Sequence, residues 1–125
     1  MTFSDEFHTY LTIEAPRTSA LVGTRVSPLK LVAQAVMPAI TYQRISGLNP
    51  IASQAEEGPT QARIRINCWD VTYEGANALA GAVISDLKGD AGPGNGHTKA
   101  GDQEDDDPNT GLFRRRLEYL FWIDE

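Results

Sequence analysis

The stretch Gln61-Ala-Arg-Ile-Arg-Ile-Asn-Cys-Trp-Asp70 decides the fold. Arg63, Arg65 and Asn67 alternate with Ile64, Ile66 and Cys68, the period of two of a strand with one face on a core and the other toward solvent or a neighbour. A helix follows at once: Tyr73, Ala76, Leu79, Ala80, Val83, Ile84 and Leu87 recur at i, i+3, i+4 and i+7, and Lys88-Gly89 supplies a C-terminal stop. The small residues Ala76, Ala78, Ala80, Gly81 and Ala82 let this helix, about 73–88, lie close against a sheet. Near the end, Arg114-Arg-Arg-Leu-Glu-Tyr-Leu-Phe-Trp122 repeats the strand grammar. In a strand over 112–123, Phe113, Leu117, Tyr119, Phe121 and Ile123 share one face and Arg114, Arg116, Glu118, Leu120 and Trp122 the other. Apolar residues on both faces predict a central strand, or one covered by another subunit.

Toward the N-terminus, Phe3, Phe7, Tyr10 and Leu11 fall at helical spacing, with Ser4 as cap and Asp5 and Glu6 in the first turn, which predicts a helix over 3–14. Pro16 and Gly23 end it and frame a connector holding Leu21 and Val22; a short strand over 24–27 is stopped by Pro28. A second strand runs over 37–45 and starts with Pro38. Residues 46–60, with two glycines and two prolines, read as a long hairpin loop. Residues 89–111 are glycine-rich and acidic and predict an exposed arm, with at most a short strand around 97–100. The result is an α+β fold: one domain over 1–125, with an antiparallel sheet of about four strands packed by an N-terminal helix and the helix at 73–88, and long loops.

A chain of 125 residues can bury roughly two-thirds of its unfolded surface, so it needs no staple. The one cysteine, Cys68, shares the apolar face of its strand and reads as a small core side chain, which excludes disulfide and zinc frameworks within one chain. The sequence shows neither a signal-like N-terminus nor a membrane span, so a soluble protein made in the cytoplasm is expected. The net charge of −6 argues against a protein that grips phosphates. That charge is uneven: Asp102, Glu104, Asp105, Asp106 and Asp107 are followed closely by Arg114, Arg115 and Arg116, of which Arg115 takes the opposite strand face from its neighbours.

Chemistry needs a nucleophile with a base, a metal cluster or a phosphate loop, and none is legible. His8 and His97 stand without a paired Cys or His and read as surface histidines. The acidic run lacks the turn glycine and terminal glutamate of an EF-hand loop, and Gly92-Pro-Gly-Asn-Gly96 is not preceded by a strand and carries no phosphate-loop lysine pattern. Trp69, Trp122, Tyr42 and Tyr119 could stack bases, but core or interface is favoured in an acidic chain. No catalytic, metal or cofactor-binding residue is expected.

Taken in order, Leu21-Val-Gly-Thr-Arg-Val26, Met37-Pro-Ala-Ile-Thr-Tyr42, Arg63-Ile-Arg-Ile-Asn-Cys-Trp69, Tyr73-Glu-Gly-Ala76 and Arg116-Leu-Glu-Tyr-Leu-Phe-Trp-Ile123 resemble the tail completion proteins of tailed bacteriophages, also described as tail-to-head joining or tail-terminator-like. The resemblance spans about 3–123. It implies a structural virion protein of tail and neck, made in the host cytoplasm: a homo-oligomeric ring, usually a hexamer, that terminates the tail tube and joins it to the neck or head-completion proteins. Its lumen lets genomic DNA pass without specific binding. The long acidic arm departs from the family pattern.

Two expectations about surfaces follow. Arg63, Arg65, Asn67, Arg114, Arg116 and Trp122, on the faces turned from the core, are expected to meet neighbouring subunits. Asp102, Glu104, Asp105, Asp106 and Asp107 are expected in lumen or inter-ring loops, where carboxylates repel phosphates. A head-side connector ring and a small cytoplasmic ligand-binding or enzymatic α+β domain remain as rivals.

Overall fold

In a computed structural model of the chain, the structure describes residues 3–23, 25–28, 36–46, 60–88, 97–108 and 111–123. The N-terminal segment is helical over the predicted span, as α1 (Phe3–Thr9) continued by a π-helical turn (Tyr10–Glu14). The wider turn ends on a 2.8 Å hydrogen bond from Ala15 N–H to the Tyr10 carbonyl, an i to i+5 closure. Phe7, Tyr10 and Leu11 point into the core, as their spacing predicts.

Residues 16–22 are not the expected connector. They form α2 (Pro16–Val22), because a proline at the first helical position gives up only an N–H that would be unpaired anyway. Gly23, at φ 56°, ends it. Strands β1 (Val26–Pro28), β2 (Ala39–Ser46) and β3 (Thr60–Asp70) lead to α3 (Tyr73–Asp86), and then to β4 (His97–Asp107) and β5 (Leu112–Ile123). Among the described residues the sheet has the order β1-β2-β3-β5-β4, one strand more than the four expected. All neighbours are antiparallel except β1 and β2, which run parallel. The Met37–Pro38 peptide that precedes β2 is cis.

The added strand corrects the expectation of an arm. Residues 97–107 pair with β5, with a register shift between Lys99 and Gly101, and Gly111 lies at φ 74° in the turn between them. Opposite charge supplies what apolar periodicity does not: Glu104 lies across from Arg115 and Asp105 across from Arg114. The expected loop at 47–59 and residues 89–96 lie outside the described residues.

One sheet face carries the core. Ile40 and Tyr42 of β2, Ala62, Ile64, Ile66 and Cys68 of β3, and Leu117, Tyr119 and Phe121 of β5 join Phe7, Leu11, Val22, Leu79, Ala80 and Val83 from the helical layer. Phe7 stands edge-on to both Tyr42 and Phe121, with ring centroids 5.4 and 5.6 Å apart, a geometry worth about 0.5–1.5 kcal/mol per pair beyond burial.

The helical layer is tied together by Asp86, whose side chain is 1% exposed. Its carboxylate, at the end of α3, accepts hydrogen bonds from Thr18 N–H (2.8 Å), Thr18 Oγ1 (2.7 Å) and the Arg17 guanidinium (3.2 Å). It thus supplies to the N-terminus of α2 the anionic cap that Ala15 cannot. Tyr10 Oη donates to the Asp86 carbonyl at 2.7 Å, and burial with the nearby Asp86 charge pushes the phenol up to about 12.

Candidate functional site

The opposite sheet face is polar and belongs to none of this core. Register places Thr41 beside Asn67, Asn67 beside Arg116, Trp69 beside Arg114 and Arg65 beside Glu118. At its centre Thr41 Oγ1 meets Asn67 Nδ2 at 3.2 Å and Trp69 Nε1 at 3.0 Å, all three residues being buried. The Arg114 guanidinium lies over the Trp69 ring, 5.1 Å from its centroid.

Two carboxylates serve the four arginines of this face. Glu118 accepts from Arg63 Nε at 2.9 Å and from Arg65 at 3.2 Å. Asp105 accepts from Arg114 at 2.6 and 2.7 Å and from Arg116 only at 3.4 Å. The Arg114 hydrogen bonds hold the Asp105 carboxyl below its ordinary value. Among the described residues two buried atoms stay without a hydrogen-bond partner, Asn67 Oδ1 and Arg116 Nε, on directly opposed residues. An unpaired buried polar group costs about 1–3 kcal/mol, so this face is less completely satisfied than the helical side.

The acidic run divides between the two faces. Asp105 turns to the arginine face; Asp102, Glu104 and Asp106 lie in register with Leu117, Arg115 and Phe113 on the helical side. Asp102 accepts from both ends of the Arg115 guanidinium, at 2.8 and 2.6 Å, and from Lys99 at 2.9 Å. The Arg115 hydrogen bonds, aided by Lys99 and opposed by burial, hold its carboxyl at about 2. Arg115 also reaches Asn77 Oδ1 of α3 at 3.3 Å, so it clamps β4, β5 and α3 together.

At the N-terminal end of α3, Tyr73, Glu104, Asp105, Asp106 and Phe113 line an open cleft of about 240 Å³. Thr72 Oγ1 caps this helix by accepting from Gly75 N–H at 3.0 Å. Gly75 lacks a Cβ that would stand 1.9 Å from Asp70 Oδ2, and so leaves room for that carboxylate at the positive end of the helix. Tyr73 and Phe113 meet edge to face at 6.1 Å, and Tyr73 Oη donates to Glu104 at 2.9 Å.

Arg63, Arg65, Asn67, Arg114, Arg116 and Trp122 therefore share one face, with Trp122 in register with Gln61. The sequence reading allotted the arginines to neighbours alone; Glu118 and Asp105 are partners it did not assign. The acidic residues stand on a strand and not on a loop, and the Asp107 side chain lies outside the described residues. The signal that could have found β4 is an acidic run and an arginine triplet flanking a Pro108–Gly111 turn, complementary charges at hairpin spacing.

His8 and His97 are half-buried rather than free at the surface, with Nε2 of each against a backbone carbonyl, of Val26 and Leu87 respectively. Burial pushes the Cys68 thiol up to about 12, which suits a core side chain and not a nucleophile. Among the described residues no group of three or more His, Cys, Asp or Glu could hold a metal ion, and no helix is long and apolar enough to cross a membrane.

Comparison with known proteins adds two findings. The family model described as tail completion protein gp17 matches residues 13–124. A chain from the solved virion of a native gene transfer agent (GTA) particle shares the fold with a TM-score of 0.66 at 14% identity, covering 99% of this chain and 98% of that chain. No curated protein matches the sequence.

Proposed function

The chain belongs to the tail completion protein gp17 family, and from that premise we propose that it forms a ring that terminates the tail tube and joins it to the neck. It is a structural protein of the phage tail; the ring, its place and its partners are the proposal. Six copies surround a lumen at the head-proximal end, with the tail tube protein on one side and the neck or head-completion protein on the other. Genomic DNA passes through without specific binding.

The observation that carries the ring is the arginine face. Arg63 and Arg65 share one carboxylate, and Asn67 and Arg116 keep unpaired buried atoms, all on the face that contributes nothing to the core. A sheet face outside the core that keeps partly exposed arginines two to a carboxylate has cations to offer a neighbour. Carboxylates on β4, Asp102 and Glu104 to Asp107, suit positions near the lumen, where they repel the phosphates of passing DNA. The match to a chain of a virion particle supports a place in the virion.

The test is a phage lacking the gene. Its tails are expected to lack a head-proximal cap in electron micrographs and to fail to join DNA-filled heads, with joining restored by the purified chain. Recovery of the protein on heads, with tails complete without it, overturns the tail-side placement in favour of a head-side connector.

A further inference from the structure

We infer that the ring closes by a heterologous contact in which Arg63 on the sheet face of one copy enters the acidic aromatic cleft of the next. This rests on the ring reading above and names the residues on both sides of its joint. The donor surface is defined by what Glu118 leaves over. Arg63 is bonded to it through Nε, and its side chain is 42% exposed. Arg65 shares the same carboxylate, which leaves two cations beside one anion. Further along the same face Asn67 is buried, so Arg63 and Arg65 are the cations this face offers a neighbour.

The acceptor surface has the complementary make-up. In the cleft, Tyr73 and Phe113 offer ring faces and edges, and Glu104 and Asp106 offer exposed carboxylates. A planar guanidinium is the group that bonds carboxylates while stacking on an aromatic wall. The chain already packs one this way, Arg114 over Trp69 with its charge on Asp105. Tyr73 and the adjoining Val71 are 49% and 62% exposed, an apolar rim for the arginine stem.

Placement favours a second copy as the occupant. Arg63 and the cleft lie on opposite faces of the sheet, and along β5 their register partners Leu120 and Phe113 are seven residues apart, roughly 23 Å of strand. One copy can therefore present both surfaces at once, each to a different neighbour, as a head-to-tail ring requires. A copy has an overall charge of −6, so two copies attract only where a basic patch meets an acidic one, which selects this pairing over like surfaces.

The experiment is sedimentation of the full chain over a concentration series, with Arg63→Glu, Asp106→Arg and the charge-swapped double variant. Both single variants are expected to weaken association on the order of a hundredfold and the double variant to recover it, with far-ultraviolet circular dichroism unchanged throughout. As a second measurement, the paired Arg63→Cys and Asp106→Cys chain is expected to give a ladder of disulfide-linked multimers on oxidation, and each single cysteine variant no more than dimers. Singles that assemble like wild type, a double that stays as weak as they are, or no ladder overturns the contact and leaves the ring standing. A wild-type chain that stays monomeric at every concentration removes the self-associating ring and the contact with it.

Discussion

The two faces of the sheet are made from the same strands and are finished to different degrees. On the helical side Phe7, Ile64, Leu79, Leu117 and Phe121 exclude water, and the buried carboxylate of Asp86 accepts hydrogen bonds from Arg17 and Thr18. On the other side four guanidinium groups meet Glu118 and Asp105, and Asn67 Oδ1 and Arg116 Nε are left over. Both faces carry buried polar groups; among the described residues, the unpaired ones lie on the arginine face. The core of the helical face is satisfied within a single chain, whereas the arginine face keeps partly exposed cations that share their carboxylates.

The largest break in that contrast comes from the core. Phe121→Ala is expected to lose about 3–5 kcal/mol of stability in urea unfolding, because Phe121 is fully buried against Phe7 and its removal leaves a cavity. Next is Asp86→Ala, at about 2–4 kcal/mol, since it strands the Thr18 donors and uncaps α2. If this substitution is as mild as a surface change, the helical side is not the tightly satisfied face described.

Asn67→Val sharpens the comparison from the other side. It removes the orphaned Oδ1 while Trp69 keeps its bond to Thr41, so the unfolding free energy from urea titration should change by less than about 1 kcal/mol. A loss as large as that of Asp86→Ala would mean that the arginine face is a structural core in its own right.

The smallest effect is electrostatic. Asp102 is held at about 2 by Arg115, below the roughly 3.9 of an unfolded chain, so its clamp contributes stability that is complete above that value and is lost as pH falls through about 2. Carbon-detected NMR titration of the carboxyl should show it ionised at pH 3.5, and Arg115→Ala should return it toward the ordinary range.

The parts legible in the sequence are those whose residues report their own environment. The alternation from Arg63 to Cys68, the apolar repeat from Tyr73 to Leu87 and the spacing of Phe7, Tyr10 and Leu11 each record burial on one side. Strand β4 hides because its acidic half is paired by charge and not by apolar periodicity: Glu104 and Asp105 lie across from Arg115 and Arg114, Asp102 bonds Arg115, and nothing within the run announces a pleat. Residues 16–22 hide because Pro16 reads equally as the end of one helix and the start of the next. At the candidate site, the sequence assigns Arg63, Arg65, Arg114 and Arg116 to one face. It does not assign Glu118 and Asp105 as their partners, because that pairing depends on a register fixed across three strands.

Strand β4 lies at the border of the described sheet, eleven residues long, with five acidic residues in its second half. Open borders of this kind are templates on which β proteins stick to one another and grow into aggregates. Here two copies meeting border to border would bring carboxylates against carboxylates and be driven apart. The charge thus guards the β4 border against growth through the backbone.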